Sequence, residues 1–225
     1  MSAPIIEARK ITKTYSDEEE EFQALQGVTL TVTESEVLGI IGSSGSGKTT
    51  LLSILGLLEK PSDGVLEVFG EDVGKMSDRR QSEIRLRRIG FIFQDHNLLP
   101  ALTVAENIDL PLSLMSLKPP ERKERIAELL DSVGMMELGG RYPSQLSRGQ
   151  RQRIAAVRAL ANKPRLIIAD EPTSDLDPEN AKILLNILRE QNTRKGTTVI
   201  IASTSLETVK EYTTRNMGIE AGKLR

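Results

Sequence analysis

The chain has 225 residues, of which 38% are hydrophobic and 28% charged, so it is long enough to form one domain with a substantial core. Its 32 acidic residues nearly balance its 30 basic residues, and only 3% of the residues are aromatic, which argues against a nucleic-acid partner. The absence of cysteine excludes disulfides and thiolate metal sites.

The sequence offers no candidate for a signal peptide or a membrane span. The first residues, MSAPIIEARK, lack the apolar segment of a signal peptide. The longest apolar stretch, LLSILGLL, is far shorter than the roughly 20 residues that cross a bilayer. A chain without cysteine suits a reducing cytosol, so we expect a cytoplasmic protein whose membrane role, if any, depends on other chains.

The first part of the chain has the pattern of strands. The segments IIEARKIT and ALQGVTLTV alternate apolar and polar residues, which predicts a strand on each side of the acidic run DEEEE at 17–21. That run is predicted to be a solvated loop. The apolar segment EVLGIIG at 36–42 indicates a buried strand, and a glycine- and serine-rich loop and a helix near 49–58 follow.

The next segments continue this alternation up to about residue 95. The turn PSDG precedes a predicted strand, VLEVFG, and RRIGFIFQ at 87–94 predicts another buried strand. From 96 to 161 helical patterns replace strands, as in PPERKERIAELLDSVG, with proline at its start and glycine at its end. We therefore predict one domain over 1–225, with a helical subdomain at 96–161 inserted into a core formed by 1–95 and 162–225.

The core resumes with the predicted strand RLIIAD, a helix near 179–191 and the strand VIIA at 199–202. Alternating strands and helices predict an α/β fold with a mostly parallel sheet that binds ligands at the carboxyl ends of its strands. The last of these strands ends in three hydroxyl residues, Ser203, Thr204 and Ser205, so we expect hydroxyl groups beside the site.

The segment GSSGSGKT at 42–49 fits the phosphate-loop pattern G-x-x-x-x-G-K-[ST] between a strand and a helix. Its glycines let backbone N–H groups form an anion-binding nest, and the helix N-terminus favours negative charge. Lys48 supplies a positive charge for the outer phosphates, and the Thr49 hydroxyl suits Mg²⁺. The predicted nucleotide-binding residues here are Gly42, Ser43, Ser44, Gly45, Ser46, Gly47, Lys48, Thr49 and Thr50.

Polar side chains end two other predicted strands. Asp170 ends one strand, and we expect it to hold Mg²⁺ through the water shell of the metal. Glu171 follows directly and is expected to orient and polarise the attacking water. Gln94 ends the segment GFIFQ, and its amide oxygen is expected to reach the metal or the water. Solvated loop charge is the alternative for the two acids, but four apolar residues directly before them argue against it.

A second anion site is predicted in LSRGQRQRIAAVRAL at 146–160. Ser147 is predicted to cap a regular basic helix, whose N-terminus favours anions, and Gly149 permits a close backbone approach. One nucleotide does not need two such sites from one chain. We therefore expect two chains, each of which closes the phosphate site of the other.

These motifs together resemble those of the ATP-binding cassette (ABC) ATPases. The phosphate loop, Gln94, LSRGQ, IIADEPTS and SDLD follow the order and spacing of that family over nearly the whole chain. TKTYSDEEEEFQALQGV, GFIFQDHNLLPALTVAENIDLPL and YPSQLSRGQRQR are similar to its lipoprotein-export, macrolide-export and cell-division group. The resemblance implies a P-loop NTPase (RecA-like) core, an N-terminal antiparallel β subdomain and an inserted helical subdomain.

The resemblance also implies roles for residues and partners. It implies that Tyr15 stacks on adenine, that Asp177 links two sites, and that Ser147, Gly149 and Gln150 contact the γ-phosphate bound by the opposite subunit. ATP and Mg²⁺ would be the cofactors, and the second cassette would be an identical or a different chain. Part of the helical subdomain would grip separate integral-membrane permease subunits, which would hold the protein at the inner face of the cell membrane.

Three positions depart from the family pattern. Arg148 stands where the signature usually has a glycine, and we expect it to face solvent, with a contact to an anion or slower closure as alternatives. Asp175 replaces a small residue near enough to the phosphates to repel them. Thr204 aligns with the histidine that bridges the γ-phosphate and the catalytic carboxylate. The only histidine, His96, lies in the loop after Gln94 and is expected to be exposed.

The sequence therefore predicts an ATP-hydrolysing transporter subunit in which the neutral Thr204 slows hydrolysis, with Glu171, Gln94 and Thr204 at the catalytic centre. An ATP-gated dimerising switch that regulates a partner is the alternative. A soluble cassette that acts in translation or DNA repair is less favoured, because such proteins usually carry two cassettes or long insertions.

Overall fold

The computed structural model describes residues 3–16 and 21–225. The acidic run lies outside these residues except for Glu21, which begins a strand. The strands are β1 Pro4–Ser16, β2 Glu21–Thr33, β3 Val37–Ile41, β4 Asp63–Val68, β5 Glu71–Asp72, β6 Ile89–Ile92, β7 Leu166–Asp170, β8 Thr198–Ser203, β9 Arg215–Glu220 and β10 Lys223–Leu224. The α-helices are α1 Lys48–Leu55, α2 Asp78–Arg88, α3 Val104–Ser113, α4 Pro119–Asp131, α5 Arg148–Ala159, α6 Pro178–Lys195 and α7 Leu206–Val209.

Six strands form one sheet in the order β10-β9-β3-β8-β7-β6. Every pair in it is parallel except β9 with β10. The strand register sets Ile41 opposite Ser203 and Asp170 opposite Ala202. The carboxyl ends of β3, β7 and β8 therefore lie side by side, as expected from the predicted parallel sheet.

The remaining four strands form a separate sheet in the order β2-β1-β4-β5, in which every pair is antiparallel. The long strands β1 and β2 pair from Pro4 opposite Thr33 to Ser16 opposite Glu21, with several bulges between. This arrangement confirms the predicted fold class, an α/β P-loop core with an N-terminal antiparallel β part.

Hydrophobic cores cover both faces of the parallel sheet, because successive residues of a strand point to opposite sides. Ile200 of β8 packs in the core that contains α1 and the antiparallel sheet. Val199 and Ile201 pack in the other core, which contains residues of α3, α5 and α6. Burial of each such side chain stabilises the fold by about 1.5–3 kcal/mol, so the sheet is fixed from both sides.

The predicted element boundaries need three corrections. The strand predicted at 87–94 is confined to Ile89–Ile92, and the two arginines before it end helix α2, which the sequence analysis missed. Only Gln81 and Ile84 of that helix are buried, so its sequence lacks an apolar stripe. The helix predicted near 49–58 ends at Leu55, and β4 begins inside the predicted turn.

The part of the chain from 96 to 161 contains α3, α4, α5 and short 3-10 turns, and the structure shows no strand there. The predicted helix with proline at its start is α4, which begins at Pro119. Helices α3 and α5 share a hydrophobic core with β7 and β8. The division of the domain into a core and an inserted helical subdomain stays a prediction.

Candidate nucleotide site

The loop between β3 and α1 has the backbone conformation that a phosphate loop requires. Gly45 and Gly47 adopt φ values of 75° and 103°, in the left-handed region that side chains disfavour. A Cβ atom on Gly47 would also lie 2.7 Å from the carbonyl oxygen of Ala24. Gly47 is the N-cap of α1, so the unpaired N–H groups of the first helical turn border this loop.

Lys48 is buried, with 6% of its side chain exposed, and its ammonium group has three oxygen neighbours. The Nζ atom donates hydrogen bonds to the carbonyl oxygens of Gly42 at 2.8 Å and Ser43 at 2.9 Å. It also lies 3.3 Å from Oε1 of Glu171. The predicted phosphate-binding cation and the predicted catalytic carboxylate therefore form a buried ion pair.

Two carboxylates follow one another at the end of β7. Glu171 adopts φ 45°, and its Oε2 atom accepts a hydrogen bond of 3.1 Å from the backbone N–H of Thr204. The Oδ1 atom of Asp170 is buried and has no hydrogen-bond partner among residues 3–16 and 21–225. An unpaired buried carboxylate oxygen suits a cation or an ordered water as its partner.

These elements surround a cleft of about 450 Å³. Predicted site residues that line it are Ser44, Gly45, Gly47, Lys48, Thr49, Thr50, Gln94, Glu171 and Thr204. Predicted residues that do not line it are Tyr15, Gly42, Ser43, Ser46, Asp170, Ser147, Gly149, Gln150 and Asp177. Three residues that the motifs did not predict also line the cleft: Phe22, Ala24 and Ser174.

The three hydroxyl residues at the end of β8 and just after it have different surroundings. The Ser203 hydroxyl accepts from the N–H of Ser205 and donates to its carbonyl oxygen, so it closes a local turn. The Ser205 hydroxyl accepts a hydrogen bond from Thr208. Of the three residues, Thr204 lines the cleft, and it contacts Glu171 through its backbone N–H.

The aromatic part of the site includes a residue that sequence reasoning overlooked. Tyr15 donates a hydrogen bond to Glu59 at 2.8 Å, and Lys13 lies 5.0 Å from the centre of its ring. Burial raises the pKa of Tyr15. Phe22 pairs with Tyr15 across the two strands, so both side chains stand on the same face of the sheet. Phe22 is 61% exposed and lines the cleft.

The start of α5, predicted to be a second anion site, lies against the start of α6. Ser147 caps α5 as predicted: its hydroxyl accepts from the N–H of Gln150, whose side chain accepts from the N–H of Ser147. Asp177 caps α6 by accepting hydrogen bonds from the backbone N–H and the side-chain amide of Asn180, and these bonds lower its pKa. A Cβ atom on Gly149 would lie 2.6 Å from the side chain of Asn180. Gly149 therefore permits close contact between the two helix starts within one chain.

Two of the three departures from the family pattern contact each other. Nη2 of Arg148 lies 2.5 Å from Oδ2 of Asp175. Arg148 was expected to face solvent, and its side chain is 56% exposed, but it also forms this ion pair, which was not expected. The negative charge of Asp175 likewise has a partner within its own chain.

The expectation that His96 is exposed was wrong. His96 is 8% exposed and adopts φ 63°, and its carbonyl oxygen accepts a hydrogen bond of 2.9 Å from Arg158. Burial lowers its pKa, and the nearby cations Arg151 and Arg148 act in the same direction. The packing of this loop against α5 produces the burial, and the polar sequence around the histidine gave no sign of it.

None of the helices within residues 3–16 and 21–225 has the length and apolar character that a membrane span requires. Groups of three or more acidic or histidine side chains that could hold a metal are also absent among residues 3–16 and 21–225. A magnesium site here would therefore need hydroxyl, amide or phosphate oxygens in addition to carboxylates.

A strand, a glycine-rich loop and a helix, with acidic residues at the end of the parallel strand next but one, place this chain in the class of P-loop NTPases. A profile described as ABC transporter matches residues 25–174. The chain therefore belongs to the ABC transporter family, as one of its ATP-binding, ATP-hydrolysing cassettes.

Several curated relatives are similar over most of the chain. A methionine import ATP-binding protein, MetN of Corynebacterium diphtheriae, is 42% identical over 224 residues, which cover 100% of this chain and 66% of the relative. A lipoprotein-releasing system ATP-binding protein, LolD 2 of Caulobacter vibrioides, is 38% identical, with 100% of this chain and 98% of the relative covered. The chain thus spans slightly under two thirds of the methionine import relative.

Solved structures with the same fold include two of the cassette MJ0796. Its dimeric post-hydrolysis state bound to ADP and Pi has a TM-score of 0.92 and 35% sequence identity, with 98% of this chain and 96% of that chain covered. A second dimeric structure of this bacterial ABC transporter cassette also has a TM-score of 0.92, at 36% identity over the same shares of the two chains.

Proposed function

We propose that this protein is the ATP-hydrolysing subunit of an ABC transporter, and that two cassettes close around Mg-ATP to drive membrane partners. The observation that carries the proposal is the arrangement of the two anion sites. The phosphate loop lines the cleft together with Glu171, whereas Ser147, Gly149 and Gln150 at the start of α5 do not line it. The start of α5 from a second cassette would then close the cleft over the outer phosphates.

The residues around the cleft suit Mg²⁺. Thr49 and Gln94 line it with a hydroxyl and an amide oxygen, and the buried Oδ1 atom of Asp170 lacks a partner in the described part of the chain. These three residues would hold the metal, directly or through water. When bound, Mg²⁺ neutralises phosphate charge that builds up during transfer.

Glu171 is the proposed general base, which orients and polarises the attacking water. Its carboxylate has only the backbone N–H of Thr204 and the ammonium of Lys48 as polar contacts among the described residues. A histidine side chain at position 204 would add a donor near the developing charge. Loss of one such donor costs on the order of 3 kcal/mol, about a hundredfold in rate, so we propose that hydrolysis is slow.

The partners that we propose are a second cassette, identical or different, and separate membrane subunits. The similar structures are described as dimeric, and the relatives are named as import or lipoprotein-releasing ATP-binding proteins. An apolar groove of about 280 Å³, lined among others by Phe93, Leu110 and Leu114, suits a helix of such a subunit. Leu114 is 67% exposed. Docking there would hold the cassette at the inner face of the membrane.

A second candidate function is an ATP-gated switch whose product is a closed dimer. It is favoured by the surroundings of Glu171, whose carboxylate accepts a hydrogen bond from the backbone N–H of Thr204 and has no histidine side chain beside it at this position. Slow hydrolysis would prolong the closed state. A switch should stay closed much longer than a transport motor. The lifetime of the ATP-bound dimer, compared with the turnover time of hydrolysis, separates the two functions.

The test of the main proposal uses the Glu171→Gln variant, in which ATP should persist. With ATP and magnesium this variant should form a dimer in light scattering, and the added change Lys48→Ala should abolish both dimer and nucleotide retention. A protein that stays monomeric with bound ATP would refute the proposal. Arg80→Ala, which breaks an ion pair with Glu71 in another part of the domain, is a suitable control for charge loss.

A further inference from the structure

Arg148 and Asp175 connect two segments that face the proposed partner cassette. Arg148 directly follows the cap residue Ser147, and Asp175 directly follows Ser174, which lines the phosphate cleft. The ion pair of 2.5 Å therefore joins the start of α5 to the loop before α6 within one chain. Both residues depart from the family pattern, and each supplies the charge that the other lacks.

The surroundings of the pair explain why the two charges are placed together. The starts of α5 and α6 lie together, since a Cβ atom on Gly149 would meet Asn180. Two helix N-termini already give this surface partial positive charge, and the guanidinium of Arg148 adds a full one. Without Arg148, the carboxylate of Asp175 would stand next to the residues that line the phosphate cleft. As a pair, the two residues add no net charge.

We propose that the pair of Arg148 and Asp175 is an electrostatic clasp that sets how tightly ATP closes two cassettes. It holds the two segments together and keeps their charges from acting on the triphosphate separately. Both are positioning residues and not phosphate ligands. This inference rests on the proposed function, because Arg148 at the start of α5 meets a nucleotide only when a second cassette closes on it.

The clasp predicts that the two single substitutions change the strength of ATP-dependent dimerisation in opposite directions. With Arg148→Ala, the unpaired carboxylate repels the triphosphate, so ATP-dependent dimerisation weakens by about fivefold or more. With Asp175→Ala, the released guanidinium is attracted to the triphosphate, so dimerisation tightens by about threefold or more. The double variant should dimerise within about twofold of the parent, because neither charge remains. If the ion pair only held the two segments together and had no electrostatic effect on the triphosphate, both single variants would dimerise more weakly.

The experiment measures dimer dissociation constants with Mg-ATP by sedimentation, with Glu171→Gln as the parent background. Arg148→Lys, which keeps the cation, should dimerise nearly as tightly as the parent. The differences among the variants should shrink as salt rises from about 50 to about 300 mM, because screening weakens charge effects. Arg80→Ala serves as the control. It removes the cation of another partly exposed ion pair, and its partner Glu71 lies on the antiparallel sheet, away from the proposed interface.

The thermal midpoint of each variant shows whether it folds. The clasp is partly exposed, so its loss should lower the thermal midpoint of the monomer by at most a few degrees. Single variants that both weaken dimerisation, or a double variant that dimerises far more weakly or tightly than about twofold from the parent, would overturn the clasp while leaving the proposed function intact. A parent that never dimerises with ATP would overturn the proposed function, and the clasp with it.

Discussion

The ammonium of Lys48 lies 3.3 Å from the carboxylate of Glu171, and both side chains are largely buried. The residue proposed to bind phosphate and the residue proposed to activate water therefore neutralise each other. A triphosphate that enters the loop must compete with Glu171 for the ammonium group. Its arrival would release the carboxylate toward the water, which links nucleotide binding to the assembly of the catalytic centre.

Replacement of Glu171 by glutamine should therefore have two opposite effects. ATP should bind about threefold or more tightly, because Lys48 loses its competing anion, while hydrolysis should fall by about a hundredfold or more without the general base. Titration with ATP and steady-state phosphate release measure the two effects. Glu190→Gln, an exposed site on α6, should change neither. Unchanged or weaker ATP binding in Glu171→Gln would show that the ion pair does not oppose the nucleotide.

Substitutions of Thr204 distinguish the contribution of its backbone N–H to hydrolysis from that of its side chain. The contact with Glu171 comes from the backbone N–H, so Thr204→Ala should hydrolyse ATP within about twofold of the parent rate. Thr204→His should be about tenfold faster or more, because the ring supplies a donor to the developing charge. Steady-state rates at saturating ATP provide the measurement, with Glu207→His as a control for an added histidine. A histidine variant no faster than the parent would refute the explanation for slow hydrolysis.

Phe22 should contribute to nucleotide affinity although no motif points to it. It is 61% exposed and lines the cleft, and an aromatic ring that stacks on a base contributes about 1–3 kcal/mol. Phe22→Ala should therefore weaken ATP and GTP alike by about fivefold or more, since stacking does not depend on the base. Val65→Ala, at another exposed apolar residue, is the matched control. If calorimetry gives equal affinities for Phe22→Ala and the parent, this role is excluded.

The parts of this molecule that the sequence predicted are those set by local patterns. The glycine-rich loop before α1, the strand end at Asp170 and the cap at Ser147 depend on residues close together in the chain, and all have the predicted positions. Helix α2 was missed because its sequence is polar almost throughout. Its single buried apolar side chain, Ile84, gives no periodic signal.

The features that the sequence could not predict depend on contacts between distant segments. Arg148 and Asp175 each differ from the family pattern, but the sequence around neither residue indicates that the two side chains form an ion pair. Phe22 lines the cleft and stands opposite Tyr15 on the paired strand, a register that the local sequence does not specify. The contact between Glu171 and Thr204 joins two strand ends by a backbone donor, which no side-chain motif encodes.

The burial of His96 should make the stability of the protein depend on pH. Burial lowers the pKa of His96 below its ordinary value of 6.5, with Arg151 and Arg148 adding to the shift and Gln152 and Asp175 opposing it. The unfolded chain then binds the proton more readily than the folded protein does. The contribution of neutral His96 to stability is therefore complete above the ordinary pKa and is lost as the pH falls below it.

The variant His96→Asn tests this pH dependence, because asparagine tolerates the left-handed backbone at this position. Between about pH 8 and pH 5.5, the parent should lose more unfolding free energy than the variant does, by up to about 1 kcal/mol. Urea unfolding at several pH values measures the difference, and subtraction of the two curves removes the effect of the carboxylates that both proteins share. Parallel curves would mean that His96 accepts a proton as easily in the folded protein as in the unfolded chain.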